Sequence, residues 1–253
     1  MAKFYVVWKG RKSGIYTDWN SCKAQVDGFA GARYKSFKTE AEAKAAFGSA
    51  PTSAGKGATV SSKVVKKPAK LNEAQIKCQM VDAPLAIFCD GACDPNPGKA
   101  GTGIAVYQFG KLTECWYGLY NPNGTNNTAE LLGLHYALKM VQLAQGDEPA
   151  LIYSDSSYSI NAVTQWAKGW KAKGWKRGGN EPVKNLEIIQ PLYELYLEVA
   201  DRVVIRHVAG HAGIEGNELA DRMSVVAVTE REPQLKQYQH PLDIDAILAL
   251  ARG

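Results

Sequence analysis

With 253 residues, 45% of them apolar and 22% charged, the chain has an ordinary globular composition, which excludes collagen-like and wholly disordered classes. Its net charge of +5 is uneven: nine Lys/Arg face four Asp/Glu in residues 1–47, six face two in 48–84, and fifteen face nineteen in 85–253. The basic front predicts a polyanionic partner, and the acidic remainder needs cations or a local basic patch to meet the same partner.

Along the chain, FYVVWKG reads as a strand, and GIYTD as a second strand after a GRKSG turn. DWNSCKAQV reads as a helix, ARYKSF as a third strand, and TEAEAKAAF as a helix with Thr39 and Glu42 in a capping box. Residues 1–47 are therefore a small β-β-α-β-α module, with Phe37 and Phe47 as core candidates. Residues 48–83, rich in Gly, Ser, Ala, Pro and Lys, read as a flexible linker. Within it LNEAQIKCQM is open between coil and a weak helix.

Residues 84–230 are the large domain. LAIFCD is a buried strand ending at an acid, and GTGIAVYQF and LTECWYGLY form a hairpin. AELLGLHYALKMVQLA is an amphipathic helix with Leu131, Leu134, Leu138 and Val141 on one face. LIYSD is a second buried strand ending at an acid. SSYSINAVTQWAKGW and PVKNLEIIQPLYELYLEVA are helical, VVIRHV is a strand, and GNELADRMSVVAV is the closing helix. The order βββαβααβα predicts an α/β fold, a mixed five-stranded sheet flanked by helices. Residues 231–253 form a C-terminal tail with a short amphipathic helix and no assigned role.

Four acids stand on four elements: Asp90 and Asp155 at the ends of strands, Glu130 in the first turn of a helix and Asp221 on the closing helix. Taken singly, each reads equally as a cap or a surface ion pair. Taken together, they can meet at one edge of the sheet, where the carboxyl ends of neighbouring strands converge. Clustered carboxylates repel unless cations neutralise them, and oxygen-only ligands suit Mg²⁺, with Mn²⁺ as a substitute. Two such ions can clamp the attacking and leaving oxygens of a phosphoryl displacement. Cys89 and Cys93 flank Asp90, but no second pair or nearby histidine completes a zinc set. His207 and His135 read as structural. WAKGWKAKGWKRG, residues 166–178, interleaves Trp166, Trp170 and Trp175 with Lys171, Lys176 and further cations. Such a segment suits a nucleic-acid backbone or a solvated helix with core-facing tryptophans, Trp166 being a candidate for partial burial.

The motifs FCDGACDPNPG, GTNNTAELLGL, IYSDSSYSINAVTQW and VAGHAGIEGNELADR, in this order, resemble a type 1 ribonuclease H over residues 84–228. The resemblance implies that fold and an endoribonuclease acting on the RNA strand of RNA/DNA hybrids, with 5′-phosphate and 3′-hydroxyl products. It implies metal ligation by Asp90, Glu130, Asp155 and Asp221, and proton movement by His211. It places Asn126 and Asn127 on the RNA strand, though the pair also suits a left-handed turn before the helix. Thr125 and Asn185 fall in a DNA-phosphate pocket, for which an Arg common in the family near Asn123 is missing. The tryptophan–lysine segment resembles the family's basic protrusion. FYVVWKGRKSGIY, DWNSCKAQV and ARYKSFKTEAEA resemble the hybrid-binding domain of ribonuclease H1. There Tyr5, Trp19, Tyr34 and Lys35 would touch nucleic acid, with Ser36 replacing a frequent second Lys. The implied partner is an RNA/DNA hybrid, with double-stranded RNA as a further ligand of the front module. A hybrid-binding protein with a decayed nuclease, or a DNA-processing enzyme on the same fold, are the alternatives. With no run of about eighteen apolar residues, no leader-like start and five scattered cysteines, the expectation is a cytoplasmic monomer without disulfides or membrane contact.

Overall fold

The computed structural model describes residues 4–9, 11–26, 29, 33–37, 39–48, 71–144 and 149–253. The chain divides into two compact units, Met1–Val65 and Lys66–Gly253.

In the first unit, β1 (Phe4–Lys9) lies between β2 (Gly14–Tyr16) and β3 (Arg33–Phe37), antiparallel to both. Helices α1 (Trp19–Val26) and α2 (Glu40–Gly48) complete the expected β-β-α-β-α order. The Thr39–Glu42 capping box is present, each backbone N–H meeting the other residue's side-chain oxygen at 3.3 Å. Among the described residues, Val6, Val7, Cys22, Val26 and Ala43 are the unit's buried apolar side chains. Phe47 does not join them; the side chain is 38% exposed. Phe37 is half-buried and meets Trp8 edge-on.

The second unit begins upstream of residue 84. α3 (Glu73–Val81) carries a capping box between Asn72 and Gln75, and buries Ile76 and Met80. Residues 71–83 are thus part of this unit and not linker; i, i+4 spacing of two large apolar side chains was enough to dock a helix of weak intrinsic pattern. The part of the expected linker at 49–70 lies outside the described residues.

Among the described residues the sheet has the order β8-β7-β4-β5-β6-β9, six strands and not five. They are β4 (Ala86–Asp94), β5 (Gly98–Gln108), β6 (Lys111–Gly124), β7 (Ala150–Ser154), β8 (Val203–His207) and β9 (Lys236–Gln237). β9 comes from the tail and pairs with Trp116 and Tyr117 of β6. β4, β7 and β8 run parallel; the β4-β5-β6-β9 part is antiparallel. β4 does not stop at Asp90. Its parallel partner runs out after Phe88–Tyr153, but pairing with β5 continues to Asp94–Lys99.

Alternation along the strands feeds two cores. Ile87 and Cys89 of β4, Ile104 and Val106 of β5, and Ile152 of β7 face α4 (Asn126–Leu143) and α7 (Leu186–Val199). Ala86, Phe88, Ala105, Tyr107 and Tyr153 face the other way, with Ile76 of α3 and Leu219 and Met223 of α8 (Glu215–Glu230). Leu131, Leu134, Leu138 and Val141 are fully buried on α4, as their spacing requires. Between β7 and α7 run α5 (Ser157–Asn161), one π-turn and α6 (Ala167–Ala172). The tail closes with α9 (Ile244–Leu248).

Candidate metal centre and nucleic-acid surface

Parallel pairing of β4 with β7 in the register Phe88–Tyr153 carries Asp90 and Asp155 to the same edge of the sheet. Glu130 arrives from the first turns of α4, whose N-cap is Thr125. Gly91 makes that approach possible: a Cβ there would lie 2.6 Å from Ala129 Cβ and from the Glu130 amide nitrogen. Asp90, Glu130 and Asp155 each offer an oxygen, and these lie within 4.8 Å of one another. The same cleft, about 270 Å³, is also lined by Asn126, His211, Asp221 and Gly253.

The electrostatics are those of crowded acids. Asp90 is 6% exposed, and its carboxyl is pushed well above the usual carboxylate range, first by burial and then by the charge of Asp155. The Gly91 N–H, donating to Asp90 Oδ1 at 2.7 Å, opposes this shift. Glu130 is pushed up to about 7, mainly by burial, against a lowering contribution from the Ser156 hydroxyl. Ser156 Oγ donates to Glu130 Oε2, and Asn126 Nδ2 donates to Glu130 Oε1 at 2.9 Å, so both oxygens are held. Asn217 Nδ2 donates to Asp155 Oδ2 at 3.3 Å. His207 Nε2 lies 2.9 Å from the Asp155 carbonyl oxygen and 2.9 Å from Ser157 Oγ, bracing the β7 end from β8. Asp221, buried on α8, lines the cleft but stands outside the three-carboxylate group; its neighbour Arg222 donates to Oδ2.

His211 is exposed at the cleft with φ 49°. Asn126 and Asn127 are the first two residues of α4 and not a left-handed turn, because Thr125 caps the helix directly ahead of them. Thr125 Oγ1 accepts from the Thr128 N–H at 3.2 Å. Asn185 does adopt a left-handed conformation, φ 56°, just before α7, and its Nδ2 donates to Tyr158 Oη at 3.4 Å.

The tryptophan–lysine segment divides by burial. Trp170 and Trp175 pack against the α4/α7 core, Trp175 edge-on to Tyr193. Trp166 is the exposed one, at 38%, its ring centroid 5.6 Å from that of Trp170. Lys171 sits over the Tyr193 ring at 5.9 Å, and Lys168, Lys173 and Lys176 are exposed. In the first unit Tyr5, Trp19 and Tyr34 form a continuous aromatic run, with centroids 5.5 and 5.8 Å apart. Trp19 is 42% and Tyr34 46% exposed, beside the exposed Lys35. Cys89 and Cys93 are free; burial raises the Cys89 thiol far above its ordinary value.

Ser156, Asn217, Glu218 and Arg222 were not singled out in the sequence. Ser156 follows Asp155 directly, and Asn217 lies one helical turn before Asp221. That spacing is the signal that could have found Asn217.

The RNase H family description matches residues 82–229, and the ribonuclease H1 N-terminal domain matches residues 3–47. Rattus norvegicus ribonuclease H1 is 32% identical over 259 residues, covering 88% of each chain. A Cyanothece ribonuclease H is 38% identical over 151 residues, 60% of this chain and 93% of the relative. Among solved structures, LC9-RNase H1 superposes with a TM-score of 0.52 at 23% identity, over 66% of this chain and 85% of that one. A foamy viral protease–reverse transcriptase solved with double-stranded DNA gives 0.52 at 23% identity, over 60% and 97%. These two structures share the fold. Matched in both units and along most of its length, the chain belongs to the ribonuclease H family, in the two-part arrangement of ribonuclease H1.

Proposed function

We propose that the protein is an endoribonuclease that hydrolyses the RNA strand of RNA/DNA hybrids, leaving 5′-phosphate and 3′-hydroxyl ends. The observation that carries this reading is the convergence of Asp90, Glu130 and Asp155 in one cleft, in a chain of this family. The donor set fits divalent cations. It is oxygen-only, and burial with mutual repulsion raises Asp90 and Glu130, a cost that protons or cations relieve. Asp90, Glu130, Asp155 and Asp221 would hold two ions, Mg²⁺ by the hardness of the ligands, with Mn²⁺ as a substitute. When bound, such ions supply an activated water and charge stabilisation at the scissile phosphate.

The remaining steps belong to the chain. Asn126 and Ser156 fix both oxygens of Glu130, so the carboxylate is orientated before substrate arrives. Asn126, Asn127 and Glu130 lie together at the start of α4, suited to a 2′-hydroxyl beside the scissile phosphate. His211, exposed at the cleft, exchanges a proton as product leaves. Thr125 and Asn185 hold the DNA strand together with Trp166, Trp170, Lys171, Trp175 and Lys176. In the first unit Tyr5, Trp19 and Tyr34 offer apolar faces to sugars and Lys35 a charge to phosphate, for hybrid and for double-stranded RNA. The chain is read as acting as a monomer.

The test is cleavage of labelled hybrid, duplex DNA and duplex RNA with Mg²⁺ or Mn²⁺. Cleavage confined to the RNA of the hybrid supports the reading, and cleavage of duplex DNA supports a DNA-processing enzyme instead. Asp90→Asn should cut turnover by about 10³-fold or more while hybrid binding persists. Retained magnesium-dependent cleavage in that variant refutes the assignment.

A further inference from the structure

The tail leads to the carboxylates. β9 docks on β6, the Tyr238 ring meets Tyr117 edge-on at 6.3 Å, and α9 buries Ile247 on the α8 side of the sheet. Beyond α9, Arg252 Nη2 lies 3.3 Å from Glu218 Oε2, and the Gly253 N–H donates to Asp221 Oδ1 at 3.1 Å. The other Asp221 oxygen accepts from Arg222 Nη1, and the same guanidinium reaches Glu218 Oε2 at 3.2 Å. Asp221, Glu218 and Arg222 are each at most 4% exposed. Two carboxylates and two guanidiniums therefore meet where Asp221 faces the cleft. The approach of residue 253 needs a glycine: a Cβ there would lie 2.8 Å from Asp221 Oδ1 and 3.2 Å from Ala92 Cβ.

Both oxygens of Asp221 thus have protein donors, while Asp90, Glu130 and Asp155 already converge without it. We propose that the segment at residues 252–253 is a latch on Asp221. The Gly253 N–H, with Arg222 as a positioning residue, occupies this fourth carboxylate from within the cleft, and the Gly253 contact must open before Asp221 serves a cation. The inference rests on the reading of the cleft as a divalent-cation site. Gly253 lines the cleft against Asp221 Oδ1, so a cation approaching that oxygen must displace it, and hydrogen bonds to an ionised carboxylate are among the stronger ones. Seating of the tail and cation binding at Asp221 are therefore reciprocally coupled.

Two measurements on the full chain test this. The first is calorimetric titration with Mn²⁺ of the wild type, Gly253→Pro and Arg252→Gln. Proline removes the N–H donor at the point of contact. The wild type should bind one Mn²⁺ and then a second more weakly. Gly253→Pro should tighten the weaker event by about tenfold, or about 1.4 kcal/mol, and leave the first within about twofold. Arg252→Gln should shift the weaker event in the same direction by less. The second is amide hydrogen exchange, where Mn²⁺ should speed exchange at residues 252–253 of the wild type. Equal weak-site affinity in wild type and Gly253→Pro, or exchange there unmoved by Mn²⁺, overturns the latch and leaves the cleft reading standing. A wild-type chain that binds no Mn²⁺ overturns both.

Discussion

Asp90 and Glu130 are acids held above their ordinary range by burial and by other acids. In the metal-free protein this makes a specific pH prediction. Glu130 titrates near its ordinary 4.5 when unfolded and at about 7 when folded. Between those values the folded state binds more protons, so stability falls as pH rises through the window. Below about 4.5 both states are protonated and this cost vanishes. Thermal melts of metal-free protein should therefore show a lower Tm at pH 7 than at pH 5, and Mg²⁺ at pH 7 should restore it, since a ligand of the folded state stabilises by mass action. Glu130→Gln should flatten the slope and reduce the Mg²⁺ effect. A Tm that rises from pH 5 to pH 7 in the metal-free chain contradicts the electrostatic account.

At the level of elements, α3 behaves as a piece of the core. Ile76 is 1% exposed, and Gln79 Oε1 accepts from Tyr153 Oη at 3.0 Å, two residues ahead of Asp155. Ile76→Ala should cost about 2–4 kcal/mol in denaturant unfolding of the second unit. For the same reason a chain starting at Pro84 should be less stable than one starting at Leu71. The tryptophan segment makes the complementary prediction. Trp166, exposed, should lose hybrid affinity on substitution by Ala, by about 1–3 kcal/mol, with little change in stability. Trp175→Ala should lower stability as well, because its ring packs on Tyr193. Equal loss of stability in both variants would show that the burial difference does not matter.

At the level of the whole molecule, two units each carry a surface suited to nucleic acid, and the stretch between them sets how they cooperate. With residues 71–83 folded into the second unit, the stretch expected from the sequence to be flexible shortens from 48–83 to 48–70, and a coil of the shorter length would reach about 23–28 Å against about 30–36 Å. On the proposed function, binding by the first unit would then raise the local concentration of hybrid at the cleft without touching the chemical step. Removing residues 1–47 should raise KM for long hybrids by about tenfold or more, lower processivity and leave kcat within about twofold. Unchanged KM and processivity in steady-state and single-hit assays would reject tethering.

Much of this was legible in the chain itself. The continuous apolar runs LAIF and LIY, the spacing of Leu131, Leu134 and Leu138, and the Thr39–Glu42 cap are encoded within a few residues. Local geometry follows from them directly. The four acids were legible through the short stretches FCDG, NTAE, YSDS and LADR, although β4 runs on past Asp90 and Asp221 lies inside α8. What only the tertiary structure decided was which groups meet. Parallel pairing of β4 with β7 puts Asp90 beside Asp155, and a contact across 62 residues brings Asn217 to Asp155. The sixth strand, the burial of α3, the outward turn of Trp166 and the seat of Gly253 on Asp221 are long-range outcomes too. A two-residue strand or a single glycine has no periodicity to announce it. Its position is set by the surface it finds once the sheet and α8 have formed.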